Sequence, residues 1–131
     1  MQVLVVDDQP AFRRAAARVL ARLPEFEVIG ESETGEASVE AVRQLKPDLV
    51  LMDVHLPGIS GPEATRRILA DVVEPTPPPI VFLLSTYDAA DYADEVLACG
   101  AAAYLPKVDF GPATLMAAWA TTQAHMSCSV P

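Results

Sequence analysis

Residues 1–12 read MQVLVVDDQPAF. Four apolar residues, Val3 to Val6, run directly into two adjacent carboxylates, Asp7 and Asp8, and Pro10 follows. The short β-branched run has the length and composition of a strand. Pro10 suits the first turn of a helix, where its missing N–H costs nothing. The stretch therefore predicts a buried strand that hands over to a helix, with an acid pair at the junction. Neighbouring carboxylates repel, and burial strengthens the repulsion. Either the pair is a solvated turn, or something positive sits against it.

Working outward, the same alternation recurs along the chain. Short apolar runs appear at Val28-Ile29, Leu49 to Met52, Ile80 to Leu84 and, weakly, Ala102 to Leu105. Helical spacing fills the intervals. Phe12, Ala16, Val19, Leu20 and Leu23 form one stripe before Pro24. Ala37, Ala41 and Leu45 mark a second helix from Glu36, closed by Pro47. A third fits Gly61 to Ala70, and a fourth fits Asp88 to Ala98 with Gly100 as its cap. A fifth runs from Pro112 through Trp119 towards Ala124. Strands that alternate with helices predict parallel strands and crossover helices. Continuous apolar strands suit a sheet covered on both faces. The fold class is a doubly wound α/β domain. Phe12 and Phe82 are expected in its core, Trp119 in packing, and the proline-rich stretch 74–79 in a stiff connector.

At 131 residues the chain has the size of one domain, and 51% hydrophobic content gives it a core without disulfides or a structural metal. Residues 1–124 are assigned to that domain and 125–131 to a disordered tail or the start of a linker. Net charge is −9, which disfavours direct nucleic-acid binding. Cys99 and Cys128 lack metal or disulfide spacing and are expected as free thiols. The sequence shows no signal-peptide pattern and no membrane-length apolar run, so a cytoplasmic location is expected.

In such sheets ligands bind at the carboxyl ends of the strands. This sequence places Asp7 and Asp8 after the first strand, Asp53 at the end of the third, Ser85-Thr86 at the end of the fourth and Lys107 after the fifth. Glu31-Ser32, at the end of the second, should lie further out. Singly, each has an ordinary reading: loop acid, solvated turn, helix cap, surface lysine. Jointly, those readings require four coincidences at one sheet edge. Three clustered carboxylates call for a cation, and Mg²⁺ takes oxygen ligands of this kind. One carboxylate could then act as a nucleophile towards a phosphoryl donor.

The motifs VLVVDDQP, PDLVLMDVHLPGISG, IVFLLSTY and GAAAYLPK, in this order, resemble the receiver domain of two-component response regulators over essentially the whole chain. The flavour is closest to NarL/LuxR-type receivers. The resemblance implies a flavodoxin-like five-stranded parallel sheet of order 2-1-3-4-5. It implies Asp53 as phosphoacceptor and a Mg²⁺ (or Mn²⁺) site. Asp8, Asp53 and the His55 backbone carbonyl would hold the metal, with Asp7 acting through water. Lys107 and Ser85 would bind the phosphoryl group, and Ser85 and Tyr104 would form the conformational switch. The Pro57-Gly58 turn would hold the Asp53 loop. Thr86 and Tyr87 are bulky beside the site and would govern access. Val108 stands where many receivers have proline, with Pro106 before the lysine instead.

The implied partners are a sensor histidine kinase, docking on a face that includes Arg14, Ala15 and Arg18, and a second copy through the fourth and fifth helices. No direct contact with nucleic acid or membrane is implied, and no DNA-binding helix-turn-helix domain follows in this sequence. The alternative is a phosphorylation-independent receiver acting as an interaction module. A haloacid-dehalogenase-type phosphatase would need a second acid where His55 stands. A flavodoxin-like carrier would need a flavin-phosphate loop.

Overall fold

The computed structural model describes residues 1–71, 77–86 and 98–128, with side chains described through residue 124. Five strands, β1 (Gln2–Val6), β2 (Glu27–Ser32), β3 (Leu49–Asp53), β4 (Ile80–Ser85) and β5 (Ala103–Pro106), form one parallel sheet in the order β2-β1-β3-β4-β5. Helices α1 (Pro10–Ala21), α2 (Gly35–Leu45), α3 (Gly61–Ala70) and α4 (Pro112–Cys128) accompany them. A single 3₁₀ turn, Lys107–Asp109, follows β5.

Local chemistry sets the helix ends. Pro10 occupies the first turn of α1. The Thr34 hydroxyl accepts from the Ala37 amide at 3.0 Å and starts α2. Lys46 then turns left-handed (φ 50°) and ends it before Pro47. Ser60 caps α3 by accepting from the Glu63 amide at 3.2 Å, with Pro62 in the first turn. These are N-caps in which a side-chain oxygen satisfies an otherwise unpaired amide.

The alternation of strand side chains splits the core in two. Leu4, Val6, Val50, Met52, Val81 and Leu83 pack on one face with Val39, Ala64 and Ile68 of α2 and α3. Val3, Val5, Leu49, Leu51, Phe82 and Leu84 pack on the other with Ala16 and Leu20 of α1 and Leu115 and Trp119 of α4. The Trp119 ring meets Phe26 and Phe82 edge-on, at 5.5 and 6.4 Å. Every residue of β3 is buried, as expected for a strand covered on both faces.

The expected strands and four of the five expected helices lie where the sequence places them, within a residue or two except at the ends of β2 and of the final helix. The expected helix Asp88–Ala98 lies, except for Ala98, outside the described residues, as does Tyr87. Gly100 has φ +99° in the turn that leads to β5. The final helix runs past Ala124: α4 continues to Cys128. Residues 120–128, ATTQAHMSC, contain neither glycine nor proline, so no stop signal ends the helix at Ala124. Cys99 is buried. Among the described residues, no helix is long and apolar enough to cross a membrane.

Candidate functional site

Strand order makes β1 and β3 neighbours, flanked by β2 on one side and β4 on the other. Their carboxyl ends therefore face the crevice where crossover connections diverge. Val6 pairs with Met52, so Asp7 and Asp53 stand level as the next residues of each strand. Asp53 pairs with Leu84, and Ser85 with Pro106, which brings Lys107 to the same edge. The sheet register alone thus assembles the residues that the sequence separates by up to a hundred positions.

The two adjacent acids take opposite environments. Asp7 is fully buried and Asp8 is exposed. Asp7 Oδ1 accepts from the Gln9 amide at 2.9 Å. Its Oδ2 lies 2.5 Å from Lys107 Nζ but is buried without a well-formed hydrogen bond. Lys107 Nζ is also 3.4 Å from Asp53 Oδ2, so one ammonium bridges two carboxylates. Asp53 Oδ1 accepts from the His55 amide at 3.3 Å. Burial pushes the Asp53 carboxyl above the usual carboxylate range, and the nearby Asp7 charge pushes the same way. Lys107 and the His55 amide oppose these effects without cancelling them.

Ligand atoms of Asp7, Asp8 and Asp53 all lie within 4.8 Å of one another, a cluster that could hold a metal ion. Three carboxylates against one ammonium leave two negative charges uncompensated. The buried Asp7 oxygen, which shares its one ammonium with Asp53, and the raised Asp53 carboxyl show the same deficit locally. A hard divalent cation fits both the charge and the all-oxygen donor set.

The loop after β3 is fixed by close backbone packing. The Val54 amide donates to the Leu84 carbonyl and the Gly61 amide to the Val54 carbonyl, each at 2.9 Å. A Cβ on Gly61 would strike the carbonyl oxygen of Asp53 itself. Gly58 has φ +79°, and Glu36 of α2 accepts from the Ile59 amide at 3.3 Å beside it. The expected Pro57-Gly58 turn is therefore clamped to the first turn of α2.

The structure gathers Asp7, Asp8, Asp53 and Lys107, with Ser85 fully buried at the end of β4. The His55 side chain is exposed beside Asp53, and Thr86 is exposed beyond Ser85. Tyr104 is half-buried on β5 and packs against the face that carries Val81 and Leu83. Val108 is 87% exposed. Two residues at this edge escape the sequence argument. Phe12, expected in the core, is only half-buried, and its ring centroid lies 4.6 Å from Lys107 Nζ. Arg13 donates to the Asp7 carbonyl at 2.7 Å and pairs with Glu31 at 3.1 Å and Glu33 at 3.3 Å. Their signal was their place in the first turn of α1, only four and five positions after Asp8.

The comparisons with known proteins agree with this geometry. A family model described as the response regulator receiver domain matches residues 3–120. The transcriptional regulatory protein DegU of Brevibacillus brevis is 41% identical over 107 residues, which cover 82% of this chain and 44% of DegU. The response regulator GacA of Pseudomonas viridiflava is 39% identical over 107 residues, 82% of this chain and 48% of GacA. The chain thus spans about half the length of these curated relatives. Among solved structures, a LuxR-family two-component response regulator from Aurantimonas sp. SI85-9A1 superposes with a TM-score of 0.81 at 28% identity, covering 95% of this chain and 85% of that one. The response regulator domain of Thermotoga maritima CheB superposes with a TM-score of 0.78 at 27% identity, covering 94% and 96%. With the sheet order, the acid cluster and the shared lysine already in place, these matches make the chain a member of the response regulator receiver domain family.

Proposed function

We propose that this chain is a phosphoacceptor switch of a two-component system, with Asp53 as the acceptor and a sensor histidine kinase as the donor. The observation that carries the reading is the single Lys107 ammonium bridging Asp7 and Asp53 inside a three-carboxylate cluster. An Asp53 carboxylate oxygen attacks the phosphorus of a phosphohistidine. The P–N bond breaks, its electron pair stays on the imidazole nitrogen, and an aspartyl phosphate forms. Attack by water later returns the carboxylate and releases inorganic phosphate.

Asp8, Asp53 and the His55 carbonyl are the residues that would hold Mg²⁺ (or Mn²⁺), with Asp7 acting through water. Bound there, the ion neutralises charge on the phosphoryl oxygens. Lys107 supplies the second positive group, and its release from Asp53 frees it for a phosphoryl oxygen. The Ser85 hydroxyl binds the phosphoryl group and, with Tyr104 on β5, relays its arrival to the surrounding face. This is a local charge event that biases a two-state element. Thr86 and Tyr87 govern access to Asp53. The chain works as a signalling module that catalyses its own loading and unloading.

The partner surfaces follow the same reading. Arg14, Ala15 and Arg18 are exposed on α1 and form the kinase-docking face. A second copy docks through α4 and the 88–98 segment once Asp53 is loaded. The setting is the cytoplasm, and the output is transcriptional, as the name of the DegU relative, a transcriptional regulatory protein, suggests. A phosphorylation-independent role is not favoured, because the three acids, the lysine and the hydroxyl are all retained.

The test is intact mass after incubation with Mg²⁺ and acetyl phosphate, with Asp53→Ala alongside. The expected outcome is one added phosphoryl group in the parent chain and none in the variant. Equal labelling of both would move the acceptor elsewhere. A chain that neither gains mass nor binds beryllofluoride would remove the phosphoacceptor reading.

A further inference from the structure

Lys107 is held by more than its two carboxylates. Its side chain is only 9% exposed, and its ammonium lies 4.6 Å from the centre of the Phe12 ring. Phe12 is in turn braced by Phe110, with ring centroids 5.7 Å apart and planes tilted by 50°. Phe12 comes from the first turn of α1, and Phe110 from just past the 3₁₀ turn that begins at Lys107. The aromatic pair therefore ties the element after β1 to the element after β5, directly beside the lysine.

A ring face attracts an ammonium through its quadrupole. Unlike a carboxylate, it does so without cancelling the charge. A lysine anchored only by Asp7 and Asp53 would be largely neutralised, or would swing on four flexible methylenes once Asp53 became occupied. A ring beneath the ammonium keeps it desolvated, charged and at the strand edge when one carboxylate partner is lost. We propose that Phe12, braced by Phe110, is a positioning residue that presents the Lys107 ammonium to the group bound at Asp53. The proposal rests on the phosphoacceptor reading for its effect on rate, but not for the placement of the lysine.

Two measurements test it together. The chain has only two lysines, Lys46 and Lys107. Lys46 is exposed and serves as an internal reference in the proton spectrum. The ring should move the Lys107 ε-methylene protons upfield of those of Lys46 in the parent chain and in Phe12→Tyr. Phe12→Leu, of similar apolar bulk but without a ring face, should abolish the displacement. In timed intact-mass assays with Mg²⁺ and acetyl phosphate, Phe12→Leu should load on the order of fivefold more slowly, within the range a partly shielded cation–ring contact allows. Phe12→Tyr should restore the parent rate to within about twofold, since it keeps the ring face. Thermal melts establish that each variant is folded. If Phe12→Leu is not, Phe110→Leu removes the brace instead and should show the same two effects in weaker form.

Coincident Lys46 and Lys107 signals in the parent chain would overturn the proposal. So would a folded Phe12→Leu that loads at the parent rate. A parent chain that shows the displaced Lys107 signal yet never loads would overturn the phosphoacceptor reading, while the signal would still support the placement of Lys107 by Phe12.

Discussion

Asp53 is buried, 5% exposed, against a second carboxylate, with one shared lysine to compensate both. Its folded-state affinity for a proton is therefore raised above that of an ordinary carboxyl at 3.8, first by burial and then by Asp7. The consequence for stability follows from linkage. Below the ordinary value both folded and unfolded chains carry the proton, and Asp53 exerts no pH-dependent penalty. As pH rises through 3.8 the unfolded chain ionises first, so this residue's contribution to stability falls. The fall ends once the raised folded-state value is passed, and the full penalty then persists to neutral pH. Asp53→Asn removes the ionisable group. In EDTA at pH 7 the variant is expected to melt at a higher temperature than the parent chain. The difference should hold as pH is lowered to the raised folded-state value and then shrink towards zero as pH approaches 3.8. Paired thermal melts across that range check it. A variant that is less stable at pH 7 would mean that Lys107 and the His55 amide overcompensate the buried charge.

At the scale of elements, the junction between β3 and α3 carries the most constraint on the candidate site. Gly61 opens α3, and a methyl group there would strike the Asp53 carbonyl oxygen and lie 2.9 Å from the Val54 Cα. Both obstacles are backbone, so neither can swing aside as a side chain would. Gly61→Ala is expected to cost about 1–3 kcal/mol, the usual range for forcing extra volume into a packed site. The same displacement moves the His55 carbonyl and the Asp53 side chain, so loading should drop more than the stability loss explains. Denaturant titration and intact-mass loading on the same preparation separate the two effects. The sequence already showed this junction as PDLVLMDVHLPGISG, because glycine and proline punctuate it and an apolar run precedes it. It did not show Phe12 and Arg13. Hydrophobic periodicity assigned Phe12 to the α1 stripe correctly, since it does pack against the α1 face of the sheet. Periodicity fixes the angle of a side chain about its helix, but not how far along the axis the core extends. From the first turn of α1 the Phe12 ring reaches a lysine that follows β5, a strand placed last in the sheet. The extension of α4 to Cys128 was missed for the opposite reason: without a breaker, sequence offers no signal at all.

For the whole molecule, the net charge of −9 and the acid cluster predict different responses to ions. Diffuse repulsion is relieved by any salt, because screening depends on ionic strength. A built site responds to one kind of ion at a concentration set by its affinity. Binding to the folded chain alone adds about 2.7 kcal/mol when free Mg²⁺ is 100 times the dissociation constant. For a chain of this size, each kcal/mol raises the melting temperature by roughly 3–5 °C. Mg²⁺ is therefore expected to stabilise the chain well beyond NaCl of matched ionic strength. Asp8→Asn should abolish most of that increment yet leave the NaCl response intact, because a single exposed charge hardly alters the diffuse field. Asp53→Asn, already stabilised without metal, should also gain less from Mg²⁺, so the order of melting temperatures should reverse between EDTA and saturating Mg²⁺. That reversal would join the residue to the whole: the charge conflict expected to weaken the metal-free chain is the same one that would give a divalent ion its place. If Mg²⁺ and NaCl stabilise the parent chain equally, the acid cluster is only part of an acidic surface.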